Sequence, residues 1–414
     1  MLKKLSPCYA ERSSSNRGEY HMAGQTDIIV IGAGVIGLSI AYHLALQNNN
    51  LQIVIIEKEK FHGAGSTAQC TGGIRHQFTN VLNIQLTKMS YPKFVRFAAD
   101  MGYPIYFRRQ GYLLLTAQQA KWRELRSINE QLNRLDLPAQ LLTTEEIASS
   151  YPFVSTGDLL GGSYCPLDAY ADPYGVMEGY YRQCRKLGVQ VLCNTEVVDV
   201  SKSNGSVTGV VCRQTGQSVE QAASREILNA PVVINAAGPH LHILASLAGV
   251  TLPAAPYRRQ VYVCAPMTAI PTNSPLIVDI DTGFYLHVER NGVLLLGGTD
   301  RDSSPGLATV VDRNQMPEFI EAATSRMPVL NESQITRIYA GIRSLTPDGL
   351  GLMGETAIKG FYCVGGFGGN GFMHAPAIGQ IISCLVMGEQ PPIDPAPFSP
   401  ERFNDHSPAE GILF

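Results

Sequence analysis

One stretch limits the fold of this chain more than any other: TDIIVIGAGVIGLSIAYHLAL, residues 26 to 46. An apolar strand runs into Gly32-Ala33-Gly34-Val35-Ile36-Gly37, and an apolar helix pattern follows at once. LQIVIIE, residues 51 to 57, then reads as a second strand, so the unit is a compact βαβ. The glycines permit a tight turn and let the start of a helix approach a pyrophosphate, whose charge suits the helix dipole. Glu57 ends the second strand, twenty residues beyond Gly37, where a carboxylate can accept hydrogen bonds from ribose hydroxyls and repel a 2′-phosphate. The run approaches the length of a membrane span, but its regularly spaced glycines and strand-like start favour a dinucleotide turn.

A second glycine-rich turn follows a strand and precedes a helix more than three hundred residues later: Gly365-Gly366-Phe367-Gly368-Gly369-Asn370-Gly371. Two helix N-termini directed at one ligand suit a cofactor with a second electron-rich end, such as the N1–C2=O edge of a flavin. Between these turns the expectations are a helix over about 80–100, short strands on both sides of Gly111, and a helix capped at Thr116 with Gln119. Further helix starts fall at Thr143, with Glu146 three residues on, and at Asp172–Pro173. Asn204–Gly205 marks a hairpin, and 252–300 is strand-rich.

Composition narrows the function. Of 414 residues, 45% are hydrophobic and the net charge is −3, so nothing electrostatic argues for a nucleic-acid partner. The nine cysteines form no C-x-x-C pair, and none is expected to bind metal or form a disulfide framework. His240-x-His242 has no nearby Cys, Asp or Glu to complete a metal set, and no G-x-S-x-G nucleophile elbow is present. No metal is expected. Residues 1–25 carry no apolar signal core and read as a flexible extension of a cytoplasmic protein. They hold Lys, Arg and Ser, as organelle presequences do, together with Glu11 and Glu19, which such sequences avoid.

TDIIVIGAGVIGLSIAYHLA, GSTAQCTGGIRHQF, NTEVVDV, NAAGP, GIRSLTPDGLGLMG and VGGFGGNGFMHAPAIG occur in this order between about residues 26 and 392. The chain thereby resembles the FAD-dependent amine and amino-acid oxidoreductases related to D-amino-acid, sarcosine and glycine oxidases. Within them it looks most like the sarcosine oxidase β-subunit and L-proline dehydrogenase branch. The resemblance implies an α/β fold: a Rossmann-like FAD domain with a second, mainly antiparallel-sheet α+β substrate domain. It divides the chain into cofactor segments 26–100, 150–240 and 330–392, substrate segments 101–149 and 241–329, and a tail over 393–414.

By resemblance, Gly32, Gly34, Gly37, Glu57, Ser66 and Thr67 would hold the ADP half and ribityl chain, flanked by Val35, Ile36 and Lys58. Val197 would meet the adenine through its backbone. Gly72, Gly73, Ile74, Ala237, Gly238, Gly341 and Arg343 would complete the surroundings. Gly366, Gly368, Gly369, Asn370, Gly371, Phe372 and Met373 would line the flavin ring. Arg75 falls where such oxidases place an arginine on the substrate carboxylate, a role suited to a planar guanidinium; His76 reads as its structural neighbour. Arg343 would share that role or make a structural ion pair. Tyr285, His287 and His374 are further pocket candidates, the last also readable as a hydrogen bonder at a helix start.

The departures are informative. Met373 stands where related oxidases carry a carboxylate-binding lysine, and Gly341 where some carry the flavin-linking cysteine. Cys70 stands where dimethylglycine dehydrogenases carry a linking histidine, and Leu295 near a lysine tied to oxygen activation. The implied activity is oxidation of a C–N bond in a small or N-substituted amino acid by non-covalent FAD, by a dehydrogenase rather than an oxidase. Proline, sarcosine, other glycine derivatives and opines are candidate substrates. The rivals are a D-amino-acid dehydrogenase and a flavin-bearing subunit or assembly factor in a hetero-oligomer; a homo-oligomer also fits.

Overall fold

A computed structural model describes residues 26–215, 225–298 and 304–403. The N-terminal extension and the tail beyond 403 lie outside the described residues.

The chain folds around two large sheets. The first has six strands in the order 352–355, 361–365, 232–235, 28–31, 53–56, 190–192, all parallel except the first. Its central strand, Ile28–Ile31, is buried throughout, as a parallel strand covered on both faces must be. Ile28 and Val30 enter one apolar core while Ile29 and Ile31 enter another, so each residue alternates between the two faces. A separate three-stranded antiparallel sheet, 195–203, 206–214 and 225–229, flanks this sheet. Its hairpin turns at Asn204 and Gly205, both with positive φ (50° and 76°), the conformation that Asn-Gly favours.

The second large sheet has eight strands in the order 335–345, 255–264, 294–297, 285–288, 276–279, 112–116, 161–165, 140–142. Every pairing is antiparallel except that of 276–279 with 112–116. Strands 161–165 and 335–345, which the sequence division groups with the cofactor segments, are hydrogen-bonded into this sheet. A core of its own contains Phe153, Phe284, Tyr262 and Phe319, the last two stacked at 3.7 Å.

Two helices set the site. Val35–Gln47 and Gly371–Met387 run side by side in the same direction. Ile36 faces Gly371, Ser39 Oγ donates to the Ala375 carbonyl at 2.8 Å, and Gly379 sits against Ser39 and His43. A Cβ at Gly379 would lie 2.3 Å from Ser39 Oγ, so glycine is what allows the approach. Neither N-cap residue, Gly34 or Asn370, caps its helix with a side chain, and both N-termini open at the same end of the pair.

The helix at 81–101 starts at Asn80, whose side chain accepts from Leu82 N–H, and stops at Gly102 with φ +65°. Asp172 caps Pro173–Lys186 by accepting from Tyr174 N–H. Thr143 and Glu146 make the reciprocal capping box on Thr144–Ser150. Thr143→Ala should therefore cost about 1 kcal/mol, read as a fall in Tm with unchanged flavin content. The expected cap at Thr116 is corrected: Thr116 ends strand 112–116, and its hydroxyl donates to Asp281 at 2.8 Å. The helix Gln119–Arg134 begins after Gln118 without a side-chain cap.

Candidate active site

Glycine geometry builds the first turn. Gly32 has φ +105°, and a Cβ there would lie 2.6 Å from the Ala236 carbonyl oxygen. A Cβ on Gly37 would lie 1.9 Å from the Gly32 carbonyl oxygen. Gly34, by contrast, has only Thr67 Oγ1 near its Cβ position, at 3.6 Å, so the turn presents an open face there. Glu57 is held at the strand end by Ala33 N–H (2.8 Å) and Glu59 N–H (2.9 Å). Thr67 Oγ1 accepts from Val35 N–H at 3.4 Å, and Ser66 Oγ donates to the Ile342 carbonyl at 2.7 Å. Lys58 Nζ lies 3.1 Å from His240 Nε2 beside this turn. Ala237 and Gly238 follow the Ala236 carbonyl that abuts Gly32, and Val197 sits at a bulge of the flanking sheet.

The second glycine loop folds against the end of strand 335–345. Gly368 N–H donates to the Ser344 carbonyl at 2.8 Å, and both Gly366 and Gly368 have positive φ (72° and 57°). The Arg343 guanidinium lies along Gly369, 3.2 Å from where a Cβ would be. Gln69, from the loop between the first two glycines and Arg75, packs on Gly341.

A family described as "DAO: FAD dependent oxidoreductase" matches residues 27–385. The chain belongs to this family. It is an FAD-dependent oxidoreductase, with the DAO-type α/β fold. Among curated relatives it is 25% identical to FAD-dependent oxidoreductase domain-containing protein 1 of Xenopus laevis, over 93% of this chain and 84% of that one. It is 26% identical to sarcosine oxidase subunit beta of Arthrobacter sp, covering 91% of each. Among solved structures, L-proline dehydrogenase from P. horikoshii superposes with a TM-score of 0.82 at 26% identity, over 92% of this chain and 98% of that one.

FAD fits the residues present. The open face at Gly34 and the parallel starts of helices 35–47 and 371–387, neither capped by its own N-cap residue, offer N–H groups toward a phosphate and toward an electron-rich ring edge.

Arg75 lies just past the short strand Gly73–Ile74, half-buried, with its guanidinium over the Phe78 ring at 4.4 Å. Its backbone N–H points at Met373 Sδ at 3.5 Å, so the thioether standing in the oxidases' lysine position does touch this residue. Tyr112 packs its hydroxyl against Gly73. Burial pulls the Arg75 pKa down, Tyr112 and Asp168 push it back up, and the neighbouring Arg343 lowers it further. An arginine so placed remains charged. Two like charges thus share one half-buried chamber. Neither guanidinium makes a hydrogen bond or ion pair with protein among the described residues. The Arg75 and Arg343 side chains are thus brought together, as the sequence suggested.

The other pocket candidates take different places. His374 is fully buried, and burial together with Arg75 pushes its pKa down to about 3. Its Nε2 lies 3.0 Å from Thr87 Oγ1, at the start of the C-terminal helix. His287 is buried flat against Tyr170, with ring centroids 4.7 Å apart, and next to Glu289. Tyr285 sits on the same face of that strand and borders Gly297, within electrostatic reach of Tyr112 and Tyr339. No local motif marks Tyr112, Tyr339, Thr87 or Asp168; strand register brings in the two tyrosines, helix 81–101 the threonine, and the turn after strand 161–165 the aspartate.

One His/Cys/Asp group among the described residues has metal-like spacing: His76, Cys165 and Asp168, with ligand atoms within 4.8 Å of one another. Hydrogen bonds account for it. Asp168 Oδ1 accepts from His76 N–H (2.7 Å) and lies 2.8 Å from His76 Nδ1, while Oδ2 accepts from Gln77 Nε2 at 3.1 Å. The Cys165 thiol, with its pKa pushed up by burial and by Asp168, is protonated and a poor ligand.

His43, on the first helix, has its pKa lowered to about 4 by burial. His43 and His374 are neutral in the fold and titrate near 6.5 when unfolded. As pH falls below about 6.5 the unfolded chain binds protons that the folded chain refuses, so stability drops toward the folded pKa values. The expected loss between pH 7 and pH 5 is up to about 2 kcal/mol per histidine, read from urea midpoints at the two pH values. A flat profile would contradict this.

Proposed function

We propose that this chain oxidises the C–N bond of a small amino acid or N-substituted amino acid, with Arg75 and Arg343 holding the substrate carboxylate. The observation that carries this reading is the pair of neighbouring guanidiniums, neither of which is hydrogen-bonded to a protein carboxylate among the described residues. Such a pair is costly in a half-buried chamber unless an anion joins it, and a planar fork fits a carboxylate bidentately. Phe78 beneath Arg75 restricts the guanidinium to one plane, which sets the orientation of whatever it binds. When bound, the flavin supplies the two-electron acceptor for hydride leaving the α-carbon.

The substrate enters with its nitrogen uncharged in this scheme. No strong base is then required of the protein. Non-covalent FAD accords with Gly341, which has no side chain, and with Cys70, whose thiol pKa is raised to about 12 by its surroundings. Leu295, buried in the eight-stranded sheet, offers no positive charge for oxygen activation, which favours a dehydrogenase. The named activities of the Arthrobacter and P. horikoshii relatives support sarcosine and proline as first substrates to try.

Association with a second subunit is in keeping with the sarcosine oxidase relatives. Among the described residues, no helix is long and apolar enough to cross a membrane. The deciding test is anaerobic mixing of the holoprotein with sarcosine, N,N-dimethylglycine, glycine, L- and D-proline, L- and D-alanine and an opine. Bleaching of the flavin by one of the L- or N-substituted compounds is expected. Bleaching only by D-enantiomers would select a D-amino-acid dehydrogenase, and bleaching by none would favour a non-catalytic subunit.

A further inference from the structure

We infer that Thr87 and Asp168 are positioning residues for Arg75, gripping the single peptide unit between Arg75 and His76 from both ends. This rests on the carboxylate-binding reading of Arg75. The Arg75 carbonyl accepts from Thr87 Oγ1 at 2.9 Å, and the His76 N–H of the same peptide donates to Asp168 Oδ1 at 2.7 Å. Sheet pairing holds the chain only as far as Ile74, opposite Ala169, so residue 75 leaves the ladder just where its direction matters. The two side chains take over there. Rotation of that peptide would break both bonds at once and swing the Arg75 side chain off the Phe78 ring.

The chemistry of each partner is determined by the other. Thr87 gives its one hydroxyl proton to the Arg75 carbonyl, and His374 Nε2 lies 3.0 Å from the same Oγ1. The buried His374 ring thus packs against the threonine and helps to fix its rotamer. Asp168, fully buried, spends its ionised oxygens on His76 N–H, the His76 ring and Gln77 Nε2. Gln77 is itself held by Ser163 Oγ at 2.8 Å. A carboxylate buried this deeply is an expensive way to fix a loop. Here its charge also reaches Arg75, where it opposes the loss of the guanidinium proton. Asp168 thus supplies a countercharge while leaving the guanidinium fork itself unengaged.

The test uses the holoprotein and acetate, a carboxylate that cannot be oxidised, titrated against the bound flavin's absorbance. Asp168→Ala removes a buried charge and can fail to fold, so Thr87→Val, of matching shape, is the informative variant. Thr87→Val should weaken acetate roughly tenfold or more with full FAD content, while Thr87→Ser, keeping the hydroxyl, stays within about twofold. In an Arg75→Ala background, Thr87→Val should change acetate affinity by less than about twofold, because it acts through Arg75. Equal weakening in both backgrounds, or none in either, would overturn the positioning role. Separately, acetate binding that is indifferent to Arg75→Ala would overturn the carboxylate reading itself.

Discussion

Arg75→Ala should lower kcat/KM for the amino-acid substrate roughly a hundredfold to a thousandfold, about 3–4 kcal/mol, with FAD still bound. The side chain lies past the first glycine turn, and its guanidinium rests on Phe78 without a protein anion. Deleting it removes the charge-assisted contact without disturbing Gly32, Gly34 or Glu57. Arg343, along Gly369, keeps some positive charge in the chamber, so the loss is large without being complete. Steady-state kinetics with an artificial electron acceptor, alongside the flavin-to-protein ratio, would check both halves. Loss of flavin with unchanged substrate affinity would mean that the loop serves the cofactor only.

Gly37→Ala is expected to produce protein with less than about a tenth of the normal flavin content. A Cβ at residue 37 would stand 1.9 Å from the Gly32 carbonyl oxygen, a contact no side chain can relieve because both atoms belong to the turn. Either the helix start moves out or Gly32 gives up its φ of +105°, and both changes remove N–H groups from the open face at Gly34. Flavin absorbance of the purified protein and its recovery on added FAD would measure the effect. Near-normal occupancy would show that the turn has slack which its geometry does not suggest.

Residues whose roles depend on near neighbours in the chain were legible without coordinates. The strand–turn–helix at 28–47, the Asp172–Pro173 helix start, the Thr143 capping box and the Asn204–Gly205 hairpin all follow from bonds within a few residues. A sheet covered on both faces follows too, because alternate residues of the all-apolar IIVI must find two cores. Thr116 shows where such reading stops. Its oxygen accepts from Gln118 N–H, one residue short of the helix, while its proton goes to Asp281, 165 positions away. Asp168 is harder still: an acidic residue in CPLDAY carries no mark of its use, and its partner His76 lies 92 positions earlier. Arg75 was visible as a residue type in a family setting, whereas its grip by Thr87 and Asp168 exists only in three dimensions.

The pairing of helix 35–47 with helix 371–387 also has a consequence for biosynthesis. Strand 28–31 is hydrogen-bonded to 232–235, which in turn pairs with 361–365. A ribosome must therefore release nearly the whole chain before the second helix can lie against the first. Until then the nascent protein carries one glycine turn with half its companion surface missing, and an apolar strand without its neighbours. Flavin loading is accordingly a late event, and a chain cut short before Gly371 would be synthesised without ever acquiring the site.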